Sequence, residues 1–206
     1  MAERERLIIG ISGASGVVYG IRLLEILRPL PIEVHLVMTH PAELTLAYET
    51  NAKVADLHAL ADLVHADSDV GASISSGSFQ TKGMIIAPCS MRSVSAIATG
   101  VTSNLLTRAA DVVLKEKRRL LVMVRETPLH AGHLRSLTAL AELGAVVFPP
   151  VPAFYEKPGS VEVMVDQTVG RVLDFFEIDV GLVQRWGEEA GKVRPVRVVK
   201  GSSGET

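Results

Sequence analysis

The sequence has 206 residues, 48% of them hydrophobic, which suits one α/β domain with a buried core and is too short for two comfortable domains. A formal net charge of −2 and a pI near 6.3 argue against nucleic acid or an anionic membrane as a partner. The first residues lack the apolar stretch of a signal peptide, no run reaches the roughly 20 apolar residues of a membrane span, and one cysteine excludes an internal disulfide, so we expect a cytoplasmic protein.

Short apolar runs with helical patterns between them predict five parallel strands, at 7–12, 33–39, 83–89, 120–125 and 145–150. Their continuous apolar character is typical of strands that are buried on both faces. The patterns between and after them predict helices at 16–28, 103–117, 133–143 and 160–176. We therefore expect a single-domain, doubly wound α/β fold, with a mainly parallel sheet and helices on both faces.

Two segments carry neither pattern. Residues 63–82 are small, polar and rich in serine, which predicts a long surface loop. The chain ends in "KGSSGET", which predicts a flexible terminus. We place one domain over residues 1–186 and a flexible C-terminal tail over residues 187–206.

The turn "GISGASG" follows the first predicted strand and precedes a helix. Such a turn directs backbone N–H groups and the positive end of the helix dipole at one spot, which predicts an anion site, most often for phosphate. Glycines at positions 10, 13 and 16 do not match the dinucleotide fingerprint, and no Lys follows them as in a Walker loop. We interpret the turn as a less common phosphate or mononucleotide cradle, with a plain tight connection as the alternative.

Ligands of open parallel sheets bind at the carboxyl ends of the strands, so the residues that follow the predicted strands should form one site. These residues are Ser12 to Gly16, Thr39 and His40, Pro88 to Ser93, Arg125 and Glu126, and Pro149 to Tyr155. No acidic residue follows the second strand, which disfavours NAD. His130 and His133 have the spacing of metal ligands but no third ligand nearby, so we predict no metal site.

Each of these groups also has an ordinary structural interpretation. Ser90 and Ser93 could form a helix cap, and Arg125 and Glu126 could form an ion pair between loops. Cys89 is more typical of a buried small hydrophobic residue than of a nucleophile.

Several motifs occur in one order over residues 7–186: "GISGASG", "ET" at 49 and 50, "SISSGSF", "PCS", "RAADVVLKE", "RETPLH", "PPVPAFY" and "RW". This combination closely resembles the UbiX-type flavin prenyltransferases, the partners of UbiD-type decarboxylases. The resemblance implies a Rossmann-like flavoprotein domain and a homo-dodecamer whose active sites are assembled where subunits meet. It also implies a metal-independent reaction, in which dimethylallyl monophosphate alkylates reduced FMN at N5 and C6 and gives prenylated FMN for the decarboxylase.

The resemblance also implies roles for single residues. The residues that match FMN-binding positions are Gly13, Ala14, Ser15, Thr39, Ser90, Met91, Arg92, Ser93, Arg108 and Arg125. Those that match substrate-binding positions are Lys115, Glu126, Tyr155 and Arg171, and the catalytic set is Ser15, Glu49, Lys115, Glu126 and Trp186.

The chain departs from the family at two points. Thr39 and His40 stand where the family usually has Ser-Lys, and Ser93 stands where Thr is common, yet both changes keep a hydroxyl, so we expect FMN binding to survive. The alternatives are a flavin-dependent cysteine decarboxylase of related fold, which the position of Cys89 disfavours, and a non-catalytic flavin carrier that serves a decarboxylase.

Overall fold

The computed structural model describes residues 4–183. Within them, six strands form one parallel sheet in the order β3-β2-β1-β4-β5-β6. The strands are β1 (Glu5–Ile11), β2 (Ile32–Met38), β3 (Leu63–Ala66), β4 (Gly83–Cys89), β5 (Arg119–Val124) and β6 (Val146–Val147). The order reverses between β1 and β4, which confirms the doubly wound, Rossmann-like fold.

Helices cover both faces of the sheet. The described helices are α1 (Val17–Leu27), α2 (His40–Glu49), α3 (Val54–His58), α4 (Met91–Ala98), α5 (Leu105–Lys115), α6 (Ala131–Glu142) and α7 (Val161–Asp174), with 3-10 turns at Ser73–Ser75 and Phe154–Glu156. One core lies between the sheet and α1, α2, α3 and α7, and a second lies beneath α4, α5 and α6. In β1, Leu7 and Ile9 enter the first core while Ile8 enters the second, which is why the strand reads as an unbroken apolar run.

The predicted strands and helices are confirmed, with shifts at their ends. The loop predicted over residues 63–82 is wrong in part, because its first four residues form β3 and three others form a 3-10 turn. β3 lies at the edge of the sheet, and Leu63 and Val64 are exposed there, so it lacks the buried apolar run by which the other strands were found. Helices α2 and α3 were not predicted either, and α4 was expected only as a helix that Ser90 and Ser93 could cap.

The described part of the chain contains no helix that is both long and apolar enough to cross a membrane. Trp186 and the predicted C-terminal tail, residues 187–206, lie outside the described residues.

Gly20 allows α1 to approach the end of β4 closely. A Cβ atom at this position would lie 2.5 Å from the carbonyl oxygen of Ala87 and 2.8 Å from Cδ1 of Ile11. We predict that Gly20→Ala lowers the free energy of unfolding by about 1–3 kcal/mol through overpacking, although Ala normally favours a helix over Gly by about 1 kcal/mol.

Urea unfolding measures this effect, with Gly159→Ala as the control, because a Cβ at Gly159 meets nothing within 4 Å. A Gly20→Ala variant as stable as the wild type would contradict the close approach.

Candidate functional site

A cleft of about 390 Å³ opens at the carboxyl edge of the sheet, near the point where the strand order reverses. Its lining combines the ends of several strands with the starts of the following helices: Gly13, Thr39, His40, Pro41, Asp67, Ser90, Arg92, Ser93, Ala96, Ser103, Asn104 and Thr107. Glycine is required at position 13 because no side chain fits there: a Cβ would lie 2.3 Å from Cβ of Pro41. The start of α2 can therefore lie directly against the glycine turn.

A buried hydroxyl joins the ends of β1 and β4. Ser12 is 1% exposed, and its Oγ donates to the carbonyl oxygen of Pro88 at 3.0 Å and accepts from the N–H of Ser90 at 2.7 Å. The N–H of Thr39 donates to the carbonyl of Ile11 at 3.0 Å, which ties the end of β2 to the same place. These bonds hold the loops that carry most of the predicted FMN contacts.

The N-terminus of α1 holds an anion, but that anion belongs to the chain itself. Glu49, the last residue of α2, accepts the N–H of Gly16 at 2.8 Å and that of Val17 at 3.0 Å. The Ser15 hydroxyl also bonds to this carboxylate. Glu49 therefore occupies the N–H groups of Gly16 and Val17, and a ligand at this turn would have to use its other backbone donors, so the mononucleotide cradle stays a prediction.

The same contacts set the ionisation of Glu49. Burial acts to raise the pKa of its carboxyl, but the hydrogen bonds from Ser15, Gly16 and Val17 and the charge of Arg125 together lower it. The carboxylate is therefore ionised at neutral pH. Because the charge of Arg125 acts on Glu49, this first residue after β5 lies at the same edge of the sheet as the glycine turn.

The N-terminus of α5 is likewise satisfied from within the chain. The backbone oxygen of Asp67 accepts the N–H of Leu105 at 2.8 Å, and its carboxylate accepts the N–H of Leu106 at 3.1 Å. Asn104 caps the helix by accepting from Thr107 at 3.0 Å. This helix start closes one side of the cleft but offers few donors to a ligand.

The N-terminus of α4 is different. Ser90 caps it by accepting from the N–H of Ser93 at 3.3 Å, and the two hydroxyls lie 3.2 Å apart. The N–H groups of Met91 and Arg92 have no acceptor within residues 4–183, as expected for the first turn of a helix. A phosphate in the cleft would find its backbone donors here, beside the hydroxyl of Thr39 and the guanidinium of Arg92.

Other predicted site residues lie at the opposite edge of the sheet. Lys115 is ten residues beyond the start of α5, about 15 Å along the helix at a rise of about 1.5 Å per residue. Lys115 lies four residues before β5 begins and pairs with Glu116. Arg171, in the last turn of α7, pairs with Asp174 at 2.9 Å. One chain therefore does not bring Lys115 and Arg171 to the cleft that holds Ser90.

The remaining predicted site residues are Arg108, Glu126 and Tyr155. Arg108, in the first turns of α5, donates to the Ser75 carbonyl at 3.3 Å and pairs with Asp111 at 2.9 Å. Glu126 follows β5 and is exposed, and Tyr155 lies in the second 3-10 turn with 58% of its surface exposed.

Sequence reasoning missed six residues of the cleft: Pro41, Asp67, Ala96, Ser103, Asn104 and Thr107. Asp67 directly follows β3, so recognising that edge strand would have placed it among the strand-end residues. The Asn104 cap before the apolar face of α5 was a second available signal.

The two histidines singled out by their spacing serve the backbone. Nδ1 of His130 accepts the N–H groups of Gly132 and His133 at 3.0 and 3.3 Å and so caps α6. Across residues 4–183, no three His, Cys, Asp or Glu side chains are grouped as metal ligands. Cys89 is buried, and burial raises the pKa of its thiol.

We predict that Glu49→Gln lowers the free energy of unfolding at pH 7 by about 0.5–1 kcal/mol, a small effect because the carboxylate is partly exposed and screened. Since the folded pKa is lowered, this contribution is present above the ordinary value of 4.5 and is lost as the pH falls through the folded pKa. Urea unfolding of both proteins at pH 7 and pH 3 measures it.

The control for this prediction is Glu142→Gln, at the exposed end of α6, which should change stability little at either pH. The same loss of stability for Glu49→Gln at both pH values would contradict the charged cap.

Comparison with known proteins agrees with this geometry. The family model described as Flavoprotein matches residues 1–186. Flavin prenyltransferase UbiX of Escherichia coli K12 is 57% identical over 185 residues, covering 88% of this chain and 98% of that protein.

Two solved structures share the fold closely. The crystal structure of AnUbiX (PadA1) in complex with FMN and dimethylallyl pyrophosphate superposes with a TM-score of 0.87, at 50% identity over 89% of this chain and 97% of that one. A dodecameric FMN-dependent UbiX-like decarboxylase from Escherichia coli O157:H7 has a TM-score of 0.86, at 46% identity over 88% and 98% of the two chains. The chain therefore belongs to the flavoprotein family and, within it, to the UbiX-type flavin prenyltransferases.

Proposed function

We propose that this protein transfers a dimethylallyl group from dimethylallyl monophosphate to N5 and C6 of reduced FMN and so supplies prenylated FMN to a UbiD-type decarboxylase. The observation that carries the proposal is the cleft at the β1/β4 reversal, whose hydroxyls and free N–H groups on α4 suit the phosphate of a mononucleotide. The relative of known structure that holds FMN and dimethylallyl pyrophosphate supports FMN and a phosphate ester of the dimethylallyl group as the two ligands.

The residues around the cleft fit FMN. Thr39 and the segment from Ser90 to Ser93 would hold the phosphate, because they combine hydroxyls, backbone donors and the guanidinium of Arg92. Gly13 and Ala14 line the approach from β1, and Arg125 lies near Glu49 and Ser15. Reduced FMN, when bound, supplies the electron-rich N5 and C6 that the allyl group alkylates.

The placement of Lys115 and Arg171 supports a site that is shared between subunits. Both lie at the amino edge of the sheet in one chain, far from the cleft, so they can reach an allyl phosphate only in a neighbouring subunit's cleft. Phe154, Tyr155 and Val161 are 58–71% exposed in the single chain, as expected of surfaces that a neighbouring subunit covers. We propose a dodecamer, the assembly of the Escherichia coli O157:H7 relative.

The chemistry needs cations at the leaving group and shielding at the carbon. Lys115 and Arg171 would neutralise the phosphate as the C–O bond breaks, and Arg108 would add charge nearby. Tyr155, with Trp186 as proposed from the resemblance, would shield the allyl-cation-like transition state with an aromatic face. Glu126, which is exposed after β5, would accept the proton that leaves C6.

Residues 1–186 are proposed to form one flavoprotein domain, which the match to the family model over the same residues supports. A reducing cytoplasm is proposed as the compartment, because the one cysteine of the sequence is buried and unpaired.

Anaerobic incubation of the protein with reduced FMN and dimethylallyl monophosphate is predicted to give a flavin heavier by one five-carbon unit in mass spectrometry. Lys115→Ala should abolish most of this product, because a cation at the leaving phosphate is lost. Unmodified FMN beside an active control enzyme would overturn the proposal. Bound FMN without turnover, in a protein insensitive to Lys115→Ala, would identify a flavin carrier instead.

Ser15→Ala is predicted to lower kcat by about tenfold or more, because a hydroxyl beside the reacting edge of the flavin takes part in proton movement. The unfolding midpoint should change little, since Gly16 and Val17 still bond to Glu49. The control is Ser95→Ala, which removes a hydroxyl that bonds to Ser136 at 3.2 Å. A Ser15→Ala variant with normal turnover would remove Ser15 from the catalytic set.

A further inference from the structure

The motif "SISSGSF" forms a fixed segment, although it reads as a loose loop. We call residues 73–80 the serine loop. Ile74 is 2% exposed and anchors one end of it in the core beneath α5. At the other end, Phe79 packs edge-on against the ring of His35, with 5.2 Å between the centroids. The loop therefore has a defined position over the amino half of the sheet.

Arginines of α5 and the segment after it bind the backbone of the serine loop. Arg118 donates to the carbonyl of Gly77 at 2.6 Å and to the carbonyl of Phe79 at 2.7 Å. Arg108 donates to the carbonyl of Ser75 at 3.3 Å. These bonds fix the loop to the helix that carries Lys115.

Gly77 lies directly against the end of that helix. A Cβ built on Gly77 would be 2.1 Å from Oε1 of Glu116 and 2.8 Å from Nζ of Lys115. The two side chains pair with each other, and the hydrogen bond from Lys115 is the main reason that the pKa of Glu116 is lowered. Glu116 is therefore charged at neutral pH and draws the ammonium group against the loop.

We propose that Gly77, Glu116 and Arg118 are positioning residues that fix the ammonium of Lys115 for the phosphate of the allyl substrate. This inference rests on the proposed function, in which Lys115 reaches that phosphate. A lysine on an open surface samples many rotamers, whereas the serine loop limits Lys115 on one side and Glu116 holds it on another. An ammonium has three donors, so the bond to Glu116 leaves two for a phosphate.

Gly77→Ala tests the close contact. The atoms that the new methyl group would meet are the mobile ends of Lys115 and Glu116, so the fold should tolerate it while the ammonium is displaced. We expect the KM for dimethylallyl monophosphate to rise about tenfold, since small misplacements of a binding group are costly, with the FMN dissociation constant unchanged. The matched control is Gly71→Ala, where the nearest atom is a carboxylate oxygen of Asp69 at 3.4 Å.

Arg118→Gln removes the hydrogen bonds from Arg118 to the serine loop. It should raise the KM for dimethylallyl monophosphate, again without changing FMN binding. Its control is Arg119→Gln, which removes an equal charge from the next residue. The Arg119 guanidinium lies over the Phe176 ring and 4.0 Å from Glu177, and it makes no bond to the serine loop. Equal effects of the two variants would show that the loss of positive charge alone raises the KM, and would contradict a positioning role for Arg118.

A measurement without turnover separates this inference from the proposed function. Lys115 is labelled with limiting acetylating reagent and quantified by mass spectrometry against the other lysines. The rate of acetylation of Lys115 should increase in Gly77→Ala and stay unchanged in Gly71→Ala. Equal labelling of Lys115 in wild type and Gly77→Ala overturns the positioning, whatever the activity. If labelling of Lys115 changes in Gly77→Ala but the wild type leaves FMN unmodified, the proposed function is overturned. The role of Lys115 at the substrate phosphate is then overturned with it.

Discussion

The geometry of the cleft depends on one buried hydroxyl. Ser12 bonds at once to a carbonyl at the end of β4 and to the N–H that begins α4, so it fixes the glycine turn relative to the next helix start. A hydroxyl can do this because it donates and accepts at the same atom. The close approach at Gly13 then brings α2 to the same place, and three strand ends share one cleft.

Electrostatics select which helix start can receive a ligand. α1 and α5 both point their positive ends at the carboxyl edge, yet Glu49 and Asp67 occupy their donors. The start of α4, in contrast, keeps the N–H groups of Met91 and Arg92 without acceptors in the described part of the chain, close to Thr39. The chain's own carboxylates thus occupy N–H groups at the starts of α1 and α5, whereas the start of α4 is the proposed place for a phosphate.

Much of the fold follows from the sequence, because buried parallel strands leave unbroken apolar runs and the amphipathic helices between them keep their period. β3 was not predicted because it is short and exposed at the sheet edge, whereas the cap at Ser90 already indicated the start of α4. The site was predictable as a set of strand ends. The hydrogen bond between Glu49 and the glycine turn could not be predicted. Glu49 is 33 residues from Gly16 in the sequence, and spacing alone does not indicate that the two are in contact.

Helix α5 has a consequence for the whole assembly. Its first turn closes the cleft of its own subunit at Asn104, while its last residue, Lys115, faces away at the other edge of the sheet. In the proposed dodecamer, where sites are shared between neighbours, each such helix would contribute residues to two active sites. The proposed assembly would thus couple its sites through α5, because a tilt of this helix would change both the FMN cleft of its own subunit and the position of Lys115 in the neighbour's site.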